Sequence, residues 1–287
     1  MATEQIPVII VSGYLGAGKT TLIRDFLIDP QGLRATVLVN DFGQVNIDAE
    51  LIAETGADTI ALTNGCACCS IGDDLLGAAT GAMATRPDLL VIEASGVAQP
   101  ARMARLLRGV AGTSPARCLT VVNGARAQQL SRDKFVSKLF EQQIHQSDAL
   151  SLNRDDRPLP GWIETRPNVP SLTEFIRFAA ARQDSPIRTA QAATAQDLPL
   201  QELPVKFIQK IHHPPKMDKA AFQIWLLEQC PTLHRAKGVF PLQLSADETV
   251  MARIDYVQGE LSIQPLPERN CAPLGQIVVI APAMPHA

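Results

Sequence analysis

The octapeptide Gly13-Tyr14-Leu15-Gly16-Ala17-Gly18-Lys19-Thr20 constrains this chain more tightly than any other stretch of it. It fits G-x-x-x-x-G-K-[ST], follows the apolar run Val8–Ser12 and opens a helical pattern over Thr20–Ile28 that Pro30 stops. That strand, loop and helix order is what a phosphate cradle requires. Glycines let backbone N–H groups curl around phosphate oxygens, and the helix N-terminus adds about half a positive charge there. Lys19 is placed to reach the β- and γ-phosphates of a nucleoside triphosphate, and the Thr20 hydroxyl to ligate Mg²⁺. With glycine near 7% of residues, the four fixed positions coincide by chance in roughly one chain of this length in a hundred. The alternative is an ordinary glycine-rich strand-to-helix turn.

The surrounding pattern supplies a scaffold for such a loop. Ala35–Val39, Leu89–Ile92, Cys118–Val122 and Ala149–Leu152 are short apolar runs without polar alternation, as expected of parallel strands covered on both faces, and Asp58–Leu62 reads as a further short strand. Helical patterns fall between them at Asp73–Ala84, Ala101–Leu107 and Lys134–His145, and Ser171-Leu172-Thr173-Glu174 opens a last helix with capping-box spacing. Strands alternating with helices predict a doubly wound, mostly parallel α/β sheet over residues 1–183. Residues 184–203, rich in Ala, Gln and Pro, are expected to be a linker. In residues 204–287, one helix (Asp218–Gln229) stands among strands at Val205–Ile211, Lys237–Leu244, Thr249–Tyr256, Glu260–Gln264 and Gln276–Ile280, which predicts a smaller α+β domain.

Of 287 residues, 46% are hydrophobic and 19% charged, with a formal net charge of −3. That is core enough for a folded chain, and no global positive field points to nucleic acid or an anionic membrane. No apolar run approaches the roughly 18 residues of a membrane span, and the N-terminal stretch has no basic region of a signal peptide, so a cytoplasmic protein is expected.

Two further sites should complete a nucleotide pocket. Glu93 ends the strand Asp88-Leu89-Leu90-Val91-Ile92 and precedes Ala94-Ser95-Gly96. A carboxylate there can hold the Mg²⁺ shell or orient the attacking water, while Gly96 lets backbone approach the γ-phosphate. Asn153-Arg154-Asp155-Asp156 follows a later strand and resembles the guanine-reading N-K-x-D element, with Asp156 accepting from guanine N1 and N2. A polar turn is the alternative, and Arg154 stands where Lys is usual. Separately, Asn64-Gly65-Cys66-Ala67-Cys68-Cys69 gathers three thiols in four positions. Such thiolates bind Zn²⁺ or another thiophilic divalent ion at about 2.3 Å. No second pair nearby closes a four-thiolate site, as suits a carrier that must also release its metal. Small buried hydrophobes or a redox pair are the other readings.

Together Gly13–Thr21, Asn40-Asp41-Phe42-Gly43, Asn64–Cys69, Glu93–Gly96, Asn153–Asp156 and Arg235-Ala236-Lys237-Gly238 resemble the CobW family of P-loop GTPases over nearly the whole chain. The resemblance implies GTP binding and slow Mg²⁺-dependent GTP hydrolysis coupled to delivery of Zn²⁺ or Co²⁺ to a client protein, with neither nucleic acid nor membrane as partner and a homodimer allowed. Carried over by position, Lys19, Thr20 and Glu93 are catalytic. Gly13, Gly16, Ala17, Gly18, Lys19, Thr20, Thr21, Gly96, Asn153 and Asp156 hold nucleotide. Cys66, Cys68 and Cys69 carry the transported metal, Thr20 binds Mg²⁺, and Asp41 serves in a switch contact with metal. Asp41 replaces the family's usual Glu, Asn123 replaces an Asp, the strand around Gln276–Ile280 lacks a common Arg, and no histidine-rich tract is present. The expected mechanism is a switch in which GTP pins the cysteine turn and hydrolysis releases its metal. A P-loop kinase acting on a small molecule and a non-enzymatic, GTP-responsive metal regulator are the alternatives.

Overall fold

A computed structural model describes residues 5–39, 58–61, 71–153, 159–163, 166–183, 207–245, 247–257, 259–266 and 275–283. The chain divides into two compact units, one holding a parallel sheet and the other, from Val205 onward, an antiparallel one.

In the first unit the apolar runs pair as β1 (Val8–Ser12), β2 (Ala35–Val39), β3 (Asp58–Ala61), β4 (Leu89–Glu93), β5 (Arg117–Asn123) and β6 (Ala149–Asn153). All pairings are parallel, in the order β3-β2-β4-β1-β5-β6. β1, β2 and β4 are buried at every position, on both faces, which is why they show no polar alternation. One face packs Ile9, Val11, Val37, Val91, Leu119 and Val121 under α1 (Lys19–Ile28) and the helix Leu172–Gln183. The opposite face packs Val8, Ile10, Leu38, Leu90 and Ile92 under α2 (Ile71–Ala82) and α3 (Pro100–Leu107). The expected doubly wound α/β sheet is therefore present. No helix among the described residues is long and apolar enough to cross a membrane.

The helix expected over Lys134–His145 is present as α5 (Ser137–His145), starting slightly later, and it is preceded by a helix that the sequence pattern did not predict, α4 (Gly124–Arg132). Asp133 separates the two. Its carboxylate accepts hydrogen bonds from the N–H groups of Phe135 (2.7 Å) and Val136 (3.0 Å), closing a turn where helix would otherwise run. The helix Leu172–Gln183, α6, begins where the capping pattern puts it, with Ser171 Oγ accepting from the Glu174 N–H at 3.2 Å.

The second unit is a five-stranded antiparallel sheet, order β10-β9-β8-β11-β7, of β7 (Phe207–His212), β8 (Arg235–Gln243), β9 (Thr249–Val257), β10 (Glu260–Pro265) and β11 (Gln276–Pro282). The helix α7 (Lys219–Gln229), capped by Asp218, lays Phe222 and Leu226 on Phe240, Ile254, Ile277 and Val279. Phe222 and Phe240 stack with ring centroids 4.0 Å apart. This is the α+β arrangement expected of one helix among adjacent strands.

Candidate functional site

The loop after β1 turns through Gly13 (φ 138°), Gly16 (φ 72°) and Gly18 (φ 99°), backbone that L side chains rarely adopt. Space is as restrictive as angle. A Cβ at Gly13 would lie 2.3 Å from the Val121 carbonyl oxygen, and one at Gly18 would lie 2.7 Å from Asn153 Nδ2. Bare glycines thus let β5 and β6 close on the loop. Lys19 is buried, and its Nζ donates to the carbonyl oxygens of Gly13 (2.9 Å) and Tyr14 (3.3 Å). The ammonium is therefore held at the loop rather than extended into solvent. Burial, with Asp133 nearby, pushes the Tyr14 phenol above its ordinary range. Thr21 is exposed one residue further along α1.

Glu93 ends β4 in register with Val11 of β1, which sets a carboxylate beside the loop. Thr20 Oγ1 donates to Glu93 Oε1 at 2.7 Å, and Glu93 is only 5% exposed. Two hard oxygens are thus in contact at the start of α1, the donor chemistry that Mg²⁺ prefers. Beyond Glu93, the Ala94 N–H donates to the Val11 carbonyl at 2.9 Å. Gly96 presses on the loop so closely that a Cβ there would lie 2.8 Å from the Leu15 nitrogen.

On the other flank, Asn153 ends β6, and its Nδ2 donates to the Ala17 carbonyl. Asn153 thereby fastens the loop from the side opposite Glu93. Its register partner is Asn123, at the end of β5, and both Oδ1 atoms are buried without a hydrogen-bond partner among the described residues. The structure thus gathers Gly13, Gly16, Ala17, Gly18, Lys19, Thr20, Glu93, Gly96 and Asn153 at the carboxyl ends of adjacent strands. Asp41, Cys66, Cys68, Cys69, Arg154 and Asp156 lie outside the described residues.

Sequence reasoning missed Gln143, which is wholly buried on α5 and bonded to the segment after Glu93. A signal was present. Leu139, Phe140 and Ile144 mark the buried stripe of that helix, and Gln143 is a polar residue on the same stripe.

Residues 7–158, more than half of the chain, match the family described as CobW/HypB/UreG, nucleotide-binding domain. The chain is 31% identical over 182 residues to the zinc chaperone CobW of Sinorhizobium sp, covering 53% of this chain and 51% of that protein. It is 41% identical over 111 residues to the zinc-regulated GTPase metalloprotein activator 1 of Dictyostelium discoideum, covering 34% and 23%. It is 40% identical over 101 residues to the zinc chaperone YjiA of Escherichia coli (strain K12), covering 33% and 32%. The chain therefore matches about half the length, or less, of these curated relatives. By motif, by the order of its strands around the glycine loop and by this match, the chain belongs to the CobW/HypB/UreG nucleotide-binding family.

Proposed function

We propose that this chain is a slow, Mg²⁺-dependent GTPase that carries Zn²⁺, or Co²⁺, on Cys66, Cys68 and Cys69 and hands it to a client protein in a reducing cytoplasm. The observation that carries the nucleotide half is the 2.7 Å contact between Thr20 Oγ1 and Glu93 Oε1 beside the buried Lys19. The names of the matched relatives, zinc chaperone and zinc-regulated GTPase, support the metal half.

Thr20 and Glu93 are the residues that would hold Mg²⁺, which when bound would neutralise phosphate charge. Lys19 adds a positive charge at the same place, and the loop's N–H groups take the remaining phosphate oxygens. Glu93, fixed by Thr20, also orients the attacking water. Asn153 holds the loop at Ala17, and Asp156 is the residue that would read the base, since a carboxylate meets the N1 and N2 donors of guanine and finds no such pair on adenine. Val97, not a water-positioning glutamine, directly follows Gly96, so turnover falls far below the enzyme median of about 10 s⁻¹. Metal affinity differs between the GTP and GDP forms, because only a difference in affinity lets hydrolysis release the cargo.

Glu93→Gln tests the chemistry. It keeps the size of the side chain and removes its charge, so GTP hydrolysis should fall about 100-fold while GDP binding stays within a few-fold. Unchanged hydrolysis in this variant contradicts the role given to Glu93. Preference for ATP together with phosphate transfer to a small acceptor would replace the GTPase reading with a kinase.

A further inference from the structure

The segment that follows Glu93 is gripped by one helix. Gln143 is fully buried, and both hydrogens of its Nε2 are used, on the carbonyl oxygens of Gly96 (3.1 Å) and Ala98 (3.0 Å). A carboxamide has two such donors, and here both are spent on two carbonyls of one loop. The same stretch of chain takes two further bonds from this helix end, Gln99 Nε2 donating to Gln142 Oε1 (3.1 Å) and the Ala101 N–H donating to Gln146 Oε1 (3.2 Å). The grip is itself anchored. Thr120 Oγ1 on β5 donates to the Gln143 carbonyl at 2.9 Å, and Thr120 is in register with Ser12, the last residue before the glycine loop. On its far side, the gripped loop meets Leu15 through Gly96. The loop is thus clamped between the phosphate cradle and Gln143.

We infer that Gln143 is a positioning residue for nucleotide hydrolysis: by holding the Gly96 and Ala98 carbonyls it aims the Gly96 peptide at the γ-phosphate. This rests on the GTPase reading proposed above. Gln143 does not touch the nucleotide, since its donors are taken by backbone carbonyls. Its effect is confined to ligands that possess a γ-phosphate.

Gln143→Met keeps the length of the side chain and removes both donors. Two readouts on the full chain test the inference: steady-state GTP hydrolysis, and the affinities for a non-hydrolysable GTP analogue and for GDP. The expected result is a kcat at least 10-fold lower and weaker binding of the analogue, with GDP affinity within twofold of the wild type. Thr120→Val, which frees the Gln143 backbone but leaves its carboxamide in place, should shift the same quantities less, and it carries the test where Gln143→Met does not fold. Glu141→Gln, on the exposed side of the same helix, should change neither quantity. Equal losses for analogue and GDP, or a wild-type kcat in Gln143→Met, would make Gln143 merely a packing residue and overturn the inference while leaving the GTPase reading intact. A wild-type protein that binds neither nucleotide overturns both.

Discussion

Gly13 has two separate reasons to be glycine, a φ of 138° and a carbonyl oxygen 2.3 Å from where a Cβ would sit. Gly32 has only the first, with φ 79° and open space around it. The two alanine variants should therefore differ. Gly32→Ala should cost about 1 kcal/mol of stability, whereas Gly13→Ala should cost about 3 kcal/mol and weaken nucleotide binding, because β5 must also move. Urea denaturation and a nucleotide titration would separate them, and equal costs would contradict the packing described here. Cys118, fully buried on β5, offers a pH test. Burial above all, and then the Asp148 carboxylate, push its thiol well above the ordinary range. A raised folded-state pKa leaves stability intact below the unfolded thiol's value of about 8.5 and removes it as pH climbs beyond that point. In a variant retaining only Cys118, a thiol reagent at pH 8 should label the native protein far more slowly than the urea-unfolded one. Equal rates would mean that the strand is not covered.

Among the elements, uninterrupted apolar runs made the parallel strands legible, because burial on both faces leaves no room for polar alternation. The helix α4 was not legible, since Gly124–Arg132 is mostly polar and its helix draws on packing rather than on a strong apolar period. Strand order was also out of reach. The pattern predicts crossovers, but not that β4 rather than β2 lies beside β1, and that neighbour is what brings Glu93 to Thr20. Asp218, where the expected helical pattern of the second unit begins, caps α7, its Oδ1 accepting from the Ala221 N–H at 2.9 Å. Asp218→Ala should destabilise the second unit by about 1 kcal/mol, and Asp218→Asn by less. A urea transition that Asp218→Ala leaves unmoved would contradict that capping role.

At the scale of the whole molecule, the proposed phosphate site draws on parts far apart in sequence, from Gly13 to Asn153, that the parallel sheet gathers at one end. The phosphate half of the site was readable because its chemistry is written in a contiguous octapeptide. The clamp by Gln143 was not, because it depends on which helix lies against which loop. The thiols Cys66, Cys68 and Cys69 fall between the glycine loop and Glu93 in sequence, and that position is the ground for proposing a nucleotide-gated carrier.

The most direct test of a nucleotide-gated metal carrier is to titrate Zn²⁺, and then Co²⁺, into the reduced protein with Mg²⁺ and either a non-hydrolysable GTP analogue or GDP. A Cys66→Ala, Cys68→Ala double variant is titrated alongside. The proposal predicts tighter binding of one metal in the GTP-analogue form by at least 5-fold, the lower end of ordinary coupling energies, and loss of that binding in the double variant. Equal metal affinity with both nucleotides, or binding that survives loss of the two thiols, would contradict it.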